Sequence, residues 1–143
     1  MAIHEVRAFV WAATVIGVCA VALWRGGDDE RLAAVGLLGG WALTMLTYRS
    51  QFQHTEWGIL VVDAALLGLL IWIALRSGRY WPLFAAGFHL LAIVTHIAKT
   101  VDQTVGAWAY ITAEIIWGYL LAFTIGYGAW TAPANDPAGA TRR

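Results

Sequence analysis

Residues 57–75 read WGILVVDAALLGLLIWIAL, an apolar run broken by a single acid, Asp63. Its length is close to the roughly 20 residues an α-helix needs to cross hydrocarbon. Backbone groups in hydrocarbon have no water to bond, so such a run must satisfy them internally as a helix. Four further runs of the same kind surround it, at 6–24, 31–48, 80–98 and 107–130, joined by short polar connections. Short connections make consecutive helices antiparallel neighbours. The expected fold is therefore all-α, a polytopic transmembrane helical bundle of five spans forming one domain over 1–130. The run 31–48 is the shortest; a tilted or interfacial segment there gives four spans as the alternative.

Composition agrees. The chain is 60% hydrophobic and 13% charged, against roughly 45–50% apolar residues in an ordinary soluble domain. The net charge is zero and no block of like charge occurs, which excludes an electrostatic grip on nucleic acid. One cysteine, Cys19, lies inside the first run, so neither a disulfide framework nor a paired thiolate site is expected. Ala20-Val21-Ala22 resembles a signal cleavage site, but Arg7 is offset by Glu5, and a retained helix is the expectation. Residues 131–143, with Pro133, Asn135, Pro137 and Gly139, lack apolar periodicity and read as a disordered tail.

Boundary residues fit the partition. Pro82 falls in the first turn of the fourth span, and Trp24, Trp57, Trp81, Trp108 and Trp130 fall at span ends, where indole favours the headgroup layer. With five crossings, Arg7, Arg49 and Lys99 lie on the N-terminal side, and Arg25, Arg31, Arg76, Arg79, Arg142 and Arg143 on the other. This bias places the N-terminus outside and the C-terminal tail in the cytoplasm. The acids Asp28, Asp29 and Glu30 read as part of the first loop. Small-xxx-small pairs at Ala13/Gly17, Gly36/Gly40 and Ala64/Gly68 mark faces for helix contact within the chain, with a dimer face as the alternative.

The chemistry is concentrated in three spans. Ala85, His89, Ala92, His96 and Lys99 are spaced 4, 3, 4 and 3 and so share one helix face. Asp63 and Glu114 each lie about two turns into helices entering from the same side, roughly 9 to 11 Å deep at 1.5 Å per residue. An ionised acid at mid-helix costs about 2.5–3.5 kcal/mol on insertion scales, so both acids require a partner, a proton or water. Asp63, His89, His96, Lys99 and Glu114 are accordingly expected in one interior polar cluster. It serves either as a site for a proton, an ion or a polar ligand, or as interhelical hydrogen bonding alone.

A haem or metal site competes for the same residues, with His4, His54, His96 and Glu56 as weak ligand candidates on the N-terminal side. His89 and His96 are about 10.5 Å apart along one helix, too far to bind opposite faces of one haem. No HExxH, P-loop, nucleophile elbow or dinucleotide fingerprint occurs, so no catalytic residue is assigned.

The segment Arg76-Ser77-Gly78-Arg79-Tyr80-Trp81-Pro82-Leu83, followed by Ala85-Ala86-Gly87-Phe88, resembles small uncharacterised integral membrane proteins of alphaproteobacterial type, loosely across the third to fifth spans. The resemblance implies a bacterial inner-membrane protein and carries no activity, cofactor or site. The functional expectation is a non-enzymatic membrane-complex subunit, or a carrier of protons, ions or a small polar solute, with no cofactor. A haem- or metal-binding redox protein is the alternative. The expected partners are the lipid bilayer and a larger membrane complex or further copies of the chain, without nucleic acid.

Overall fold

A computed structural model describes residues 3–49, 55–102, 104 and 106–133, with side chains described from residue 9 to 46 and from 57 onward within those ranges. Five helices follow one another: α1 (Ile3–Arg25), α2 (Asp28–Arg49), α3 (Thr55–Arg76), α4 (Trp81–Val101) and α5 (Ala107–Trp130). No strand occurs among the described residues. Each helix packs on its chain neighbours, α1 closes on α5, and α2 also touches α5 across the middle.

Three helices, Trp57–Arg76, Trp81–Val101 and Ala107–Trp130, are long and apolar enough to cross a membrane among the described residues, fewer than the five spans expected. The shortfall has two causes. The apolar part of α1 that is described, Phe9–Arg25, is shorter than a full crossing. Helix α2 opens on Asp28, Asp29, Glu30 and Arg31, which lowers its mean apolarity.

The link between α1 and α2 is also shorter than expected. Only Gly26 and Gly27 separate the helices, and the three acids belong to the first turn of α2, where carboxylates complement the helix dipole. A Cβ on Gly26 would lie 2.3 Å from the Ala22 carbonyl oxygen and 2.6 Å from Glu30 Cβ, so the turn admits no side chain there. Glu30 is buried. Its Oε2 accepts the Gly27 N–H at 2.9 Å, capping the first turn of α2 from its third position. Its Oε1 pairs with Arg79, from the link before α4. Arg79 also donates to the Gly128 carbonyl at 2.9 Å and to Thr131 Oγ1 at 2.6 Å at the end of α5. One part-buried ion pair thus ties the ends of α2, α4 and α5 together. Thr131, assigned to the tail from sequence, ends α5 and belongs to this network; residues 134–143 of the expected tail lie outside the described residues.

The apolar core lies in the same half of the bundle. Val15, Cys19 and Ala22 of α1, Ala33, Ala34 and Leu37 of α2, Leu66, Leu70 and Ile73 of α3, Trp81, Ala85 and Ala86 of α4, and Leu121, Ile125 and Ala129 of α5 pack together. All of them stand toward the Arg79 end of their helices. Four of the five boundary tryptophans, Trp24, Trp57, Trp108 and Trp130, are exposed as expected at span ends. Trp81 is not: it is 4% exposed and packs on Gly128, where a Cβ would come within 2.7 Å of the indole. The glycine opens the groove that takes the ring, so Trp81 is a core residue and its Nε1 finds no partner.

Of the three small-residue pairs, one makes a contact within the chain. Gly36 and Gly40 face Leu66, Leu69 and Val62 of α3. Gly17 and Gly68 meet nothing within 4 Å of a built Cβ, and Ala13 and Ala64 are exposed, so those two faces lie on the outside.

Candidate functional site

The opposite half of the bundle holds the ionisable residues. Helix α4 is started by Trp81 and Pro82 and runs without a break to Val101, so the 3.6-residue period carries His89, His96 and Lys99 down one side. His89, near the middle, is buried. Its Nε2 lies 3.0 Å from the Asp63 carbonyl oxygen, and because a carbonyl only accepts, Nε2 carries the proton. The same nitrogen is 4.0 Å from Asp63 Oδ1. Two turns further on, His96 Nε2 lies 3.4 Å from Asp63 Oδ2 on α3 and 3.3 Å from Glu114 Oε2 on α5. One imidazole therefore bridges both acids.

The other ring nitrogen of His96 is engaged as well. Tyr110 Oη lies 2.8 Å from His96 Nδ1, with the two rings edge to face at 5.6 Å between centroids. Tyr110 was not singled out from sequence, although it sits four residues before Glu114 and so on the same face of α5. Nearby, Trp117 Nε1 donates to Thr95 Oγ1 at 3.1 Å, and the Thr95 hydroxyl donates back to the Leu91 carbonyl at 2.8 Å. The Thr95 hydroxyl is thereby satisfied within the helix and ties α4 to α5.

Glu114 is less complete. Its Oε1 is buried and has no hydrogen-bond partner among the described residues. Such an atom is costly in a medium of low polarity unless the group carries a proton or meets a further donor.

Open space adjoins the cluster. A central cavity of about 250 Å³ receives side chains from all five helices and is bordered by Asp63, His89, His96 and Glu114, with Trp11, Thr44 and Trp117 among the remaining walls. His96 also borders two peripheral clefts. One, of about 380 Å³, lies against Trp57, Lys99 and Tyr110; the other, of about 510 Å³, lies between α1 and α5. Lys99, expected in the cluster, lines the first of these clefts rather than the central cavity. Beyond it Asp102 ends α4 and accepts from the Thr104 N–H at 2.9 Å and hydroxyl at 2.6 Å, which hold its carboxyl below the usual range, helped by Lys99.

The side chains of His4, His54 and Glu56 lie outside the described residues, and no group of three or more His, Cys, Asp or Glu among the described residues is arranged to hold a metal ion. The arrangement instead offers two carboxyls, two imidazoles and a phenol linked through one histidine. These are groups that exchange protons.

Searches against protein-family models, curated proteins and solved structures give no match to this chain.

Proposed function

We propose that this chain is a small, non-enzymatic integral membrane protein of a bacterial inner membrane that takes up and hands on protons inside the bilayer, as a carrier or as one subunit of a larger membrane complex. The observation that carries the reading is His96 Nε2 at 3.4 Å from Asp63 and 3.3 Å from Glu114, joining three helices that are each long and apolar enough to cross a membrane. Intramembrane ionisable groups are expensive and mark proton or ion pathways by default. Interhelical bonding alone would require neither the central cavity beside all four ionisable groups nor a glutamate oxygen without a partner among the described residues.

Five crossings are supported by the packing of α1 and α2. They contain 23 and 22 residues, are linked by two glycines, and lie along α5 and α3. At 1.5 Å per residue each is about 33 to 35 Å long, comparable with the hydrocarbon thickness. The charges of α2 stand at its two ends, Asp28 to Arg31 and Arg49, and residues 32–48 carry none. The distribution of Lys and Arg favours an external N-terminus and a cytoplasmic C-terminus.

The test is infrared difference spectroscopy of the reconstituted protein during a pH titration. Wild type is expected to show carboxyl bands that convert to carboxylate as pH rises. Asp63→Asn and Glu114→Gln are each expected to remove one component with helix content unchanged, because an amide keeps the hydrogen bonding but holds no exchangeable charge. Identical carboxyl titrations in wild type and both variants would return the acids to a purely structural role.

A further inference from the structure

The central cavity places space beside an unmatched charge. Its wall takes Asp63 from α3, His89 and His96 from α4 and Glu114 from α5, while α1 and α2 add no titratable group to it. His96 is shared between the two carboxyls, at 3.4 and 3.3 Å. The His89 Nε2 proton is given to the Asp63 carbonyl oxygen at 3.0 Å. Lys99 stands in a neighbouring cleft and not on this wall. One imidazolium between two carboxylates leaves one negative charge to be matched. A proton matches it without filling any volume, yet about 250 Å³ adjoins the cluster. At roughly 30 Å³ per water that is room for about eight waters or one compact organic molecule, since a cavity of about 150 Å³ already takes benzene.

Two polar groups on the wall can still accept a hydrogen bond. Glu114 Oε1 is buried and has no hydrogen-bond partner among the described residues. The Thr44 hydroxyl of α2 makes no hydrogen bond among the described residues, whereas Thr14, Thr95, Thr112 and Thr124 each donate to the carbonyl four residues earlier. The rest of the wall is apolar and includes Trp11, Trp41 and Trp117, from three helices. Indole rings attract cations and cover apolar surface.

Charge decides the class of occupant. An anion or a zwitterion would bring its negative group to a wall without lysine or arginine. A neutral alcohol or amide donates and accepts hydrogen bonds here but leaves the charge unmatched. A bare metal ion needs a shell of ligands, and no group of three or more His, Cys, Asp or Glu among the described residues is arranged to supply one. An alkyl- or arylammonium ion brings N–H donors, one positive charge and an apolar body together.

We propose that the central cavity binds a small organic ammonium ion in exchange for one proton, with its N–H groups at Glu114 and Asp63 and its carbon body among Trp11, Trp41 and Trp117. This deepens the proton-handling reading by naming what the proton is exchanged for, and it rests on that reading. Charge is conserved: one cation enters as one proton passes from the carboxyl–imidazole cluster to water.

The experiment is calorimetric titration of the full chain in lipid nanodiscs with benzylammonium and with benzyl alcohol, which has nearly the same shape and no charge, against empty nanodiscs. Two buffers of different ionisation enthalpy count the protons released. Saturable binding of benzylammonium is expected, at least tenfold tighter than that of benzyl alcohol. Where the cluster is protonated, about one proton should leave per cation, and affinity should rise by up to about tenfold per pH unit. Glu114→Gln is expected to bind at least tenfold more weakly and to release no proton. Ala92→Phe fills the cavity without altering a titratable group, and should bind at least tenfold more weakly with its carboxyl titration intact. If helix content shows that one variant does not fold, the other decides. Heats equal to those of empty nanodiscs, equal affinity for benzyl alcohol, unchanged affinity in either folded variant, or displacement of benzylammonium by equimolar sodium would overturn the proposal. Absence of binding with intact carboxyl titration would leave the proton-handling reading standing. Binding without carboxyl titration or proton release would remove that reading and the exchange with it.

Discussion

Glu30 uses its two oxygens for two tasks, capping α2 through Gly27 and holding Arg79 at the meeting point of three helix ends. Its side chain is 3% exposed and that of Arg79 28%, so removing the arginine strands a buried carboxylate while removing the glutamate leaves a cation that can turn to water. Breaking a fully buried pair costs about 3–5 kcal/mol. Arg79→Ala is expected near the lower end of that range and to lower the unfolding midpoint in detergent more than Glu30→Gln. In the double variant the loss should be smaller than the sum of the two, which a double-mutant cycle would measure; strict additivity would mean that the pair does not couple. The sequence did not reveal this pair. The residues lie 49 apart, and each stands beside neighbours of its own charge, Asp28 and Asp29 or Arg76, with nothing to single it out. Asp63, His96 and Glu114 were legible because charge inside an apolar run is rare and helical spacing fixes both depth and face. Tyr110 was missed, although its spacing of four from Glu114 places it on the same face of α5.

Between α4 and α5, the contact of Trp81 with Gly128 sets how closely the helices approach. Gly128→Ala places a methyl group within 2.7 Å of a buried ring that has little room to retreat. Overpacking of this kind costs about 1–3 kcal/mol. Gly17→Ala, which meets nothing within 4 Å, is expected to be neutral or to stabilise α1 by up to about 1 kcal/mol through helix propensity. Thermal unfolding of the two variants side by side checks both expectations; equal midpoints would show that the Trp81 groove tolerates a side chain. Most helix boundaries were readable from apolar length and flanking charge; the start of α2 was not, because Asp28, Asp29 and Glu30 look like a loop although they form its first turn. Which small residues pack was not, since Gly17, Gly36 and Gly68 look alike in sequence and only the arrangement of neighbouring helices distinguishes Gly36.

The whole bundle is unequal along its length, with close-packed Ala, Leu and Ile at the Arg79 end and the cavities that border Asp63, His89, His96 and Glu114 toward the other. If all five helices cross with the proposed orientation, a periplasmic reporter before His4 and a cytoplasmic reporter after Arg143 should both be active. Two active reporters on the same side would rule out five crossings. The number of helices could be read from the sequence because each apolar run is bounded by charge or proline. The number that qualify as crossings could not, because the charged opening of α2 dilutes an otherwise uncharged segment. The unequal packing bears on what such a molecule could sense. Water and ions would approach Asp63, His96 and Glu114 through the looser half, while the interlocked alanines and leucines of the other half seal the way beyond. On the proposed membrane placement, protons would therefore reach the cluster more readily from the compartment next to the N-terminus than from the opposite one.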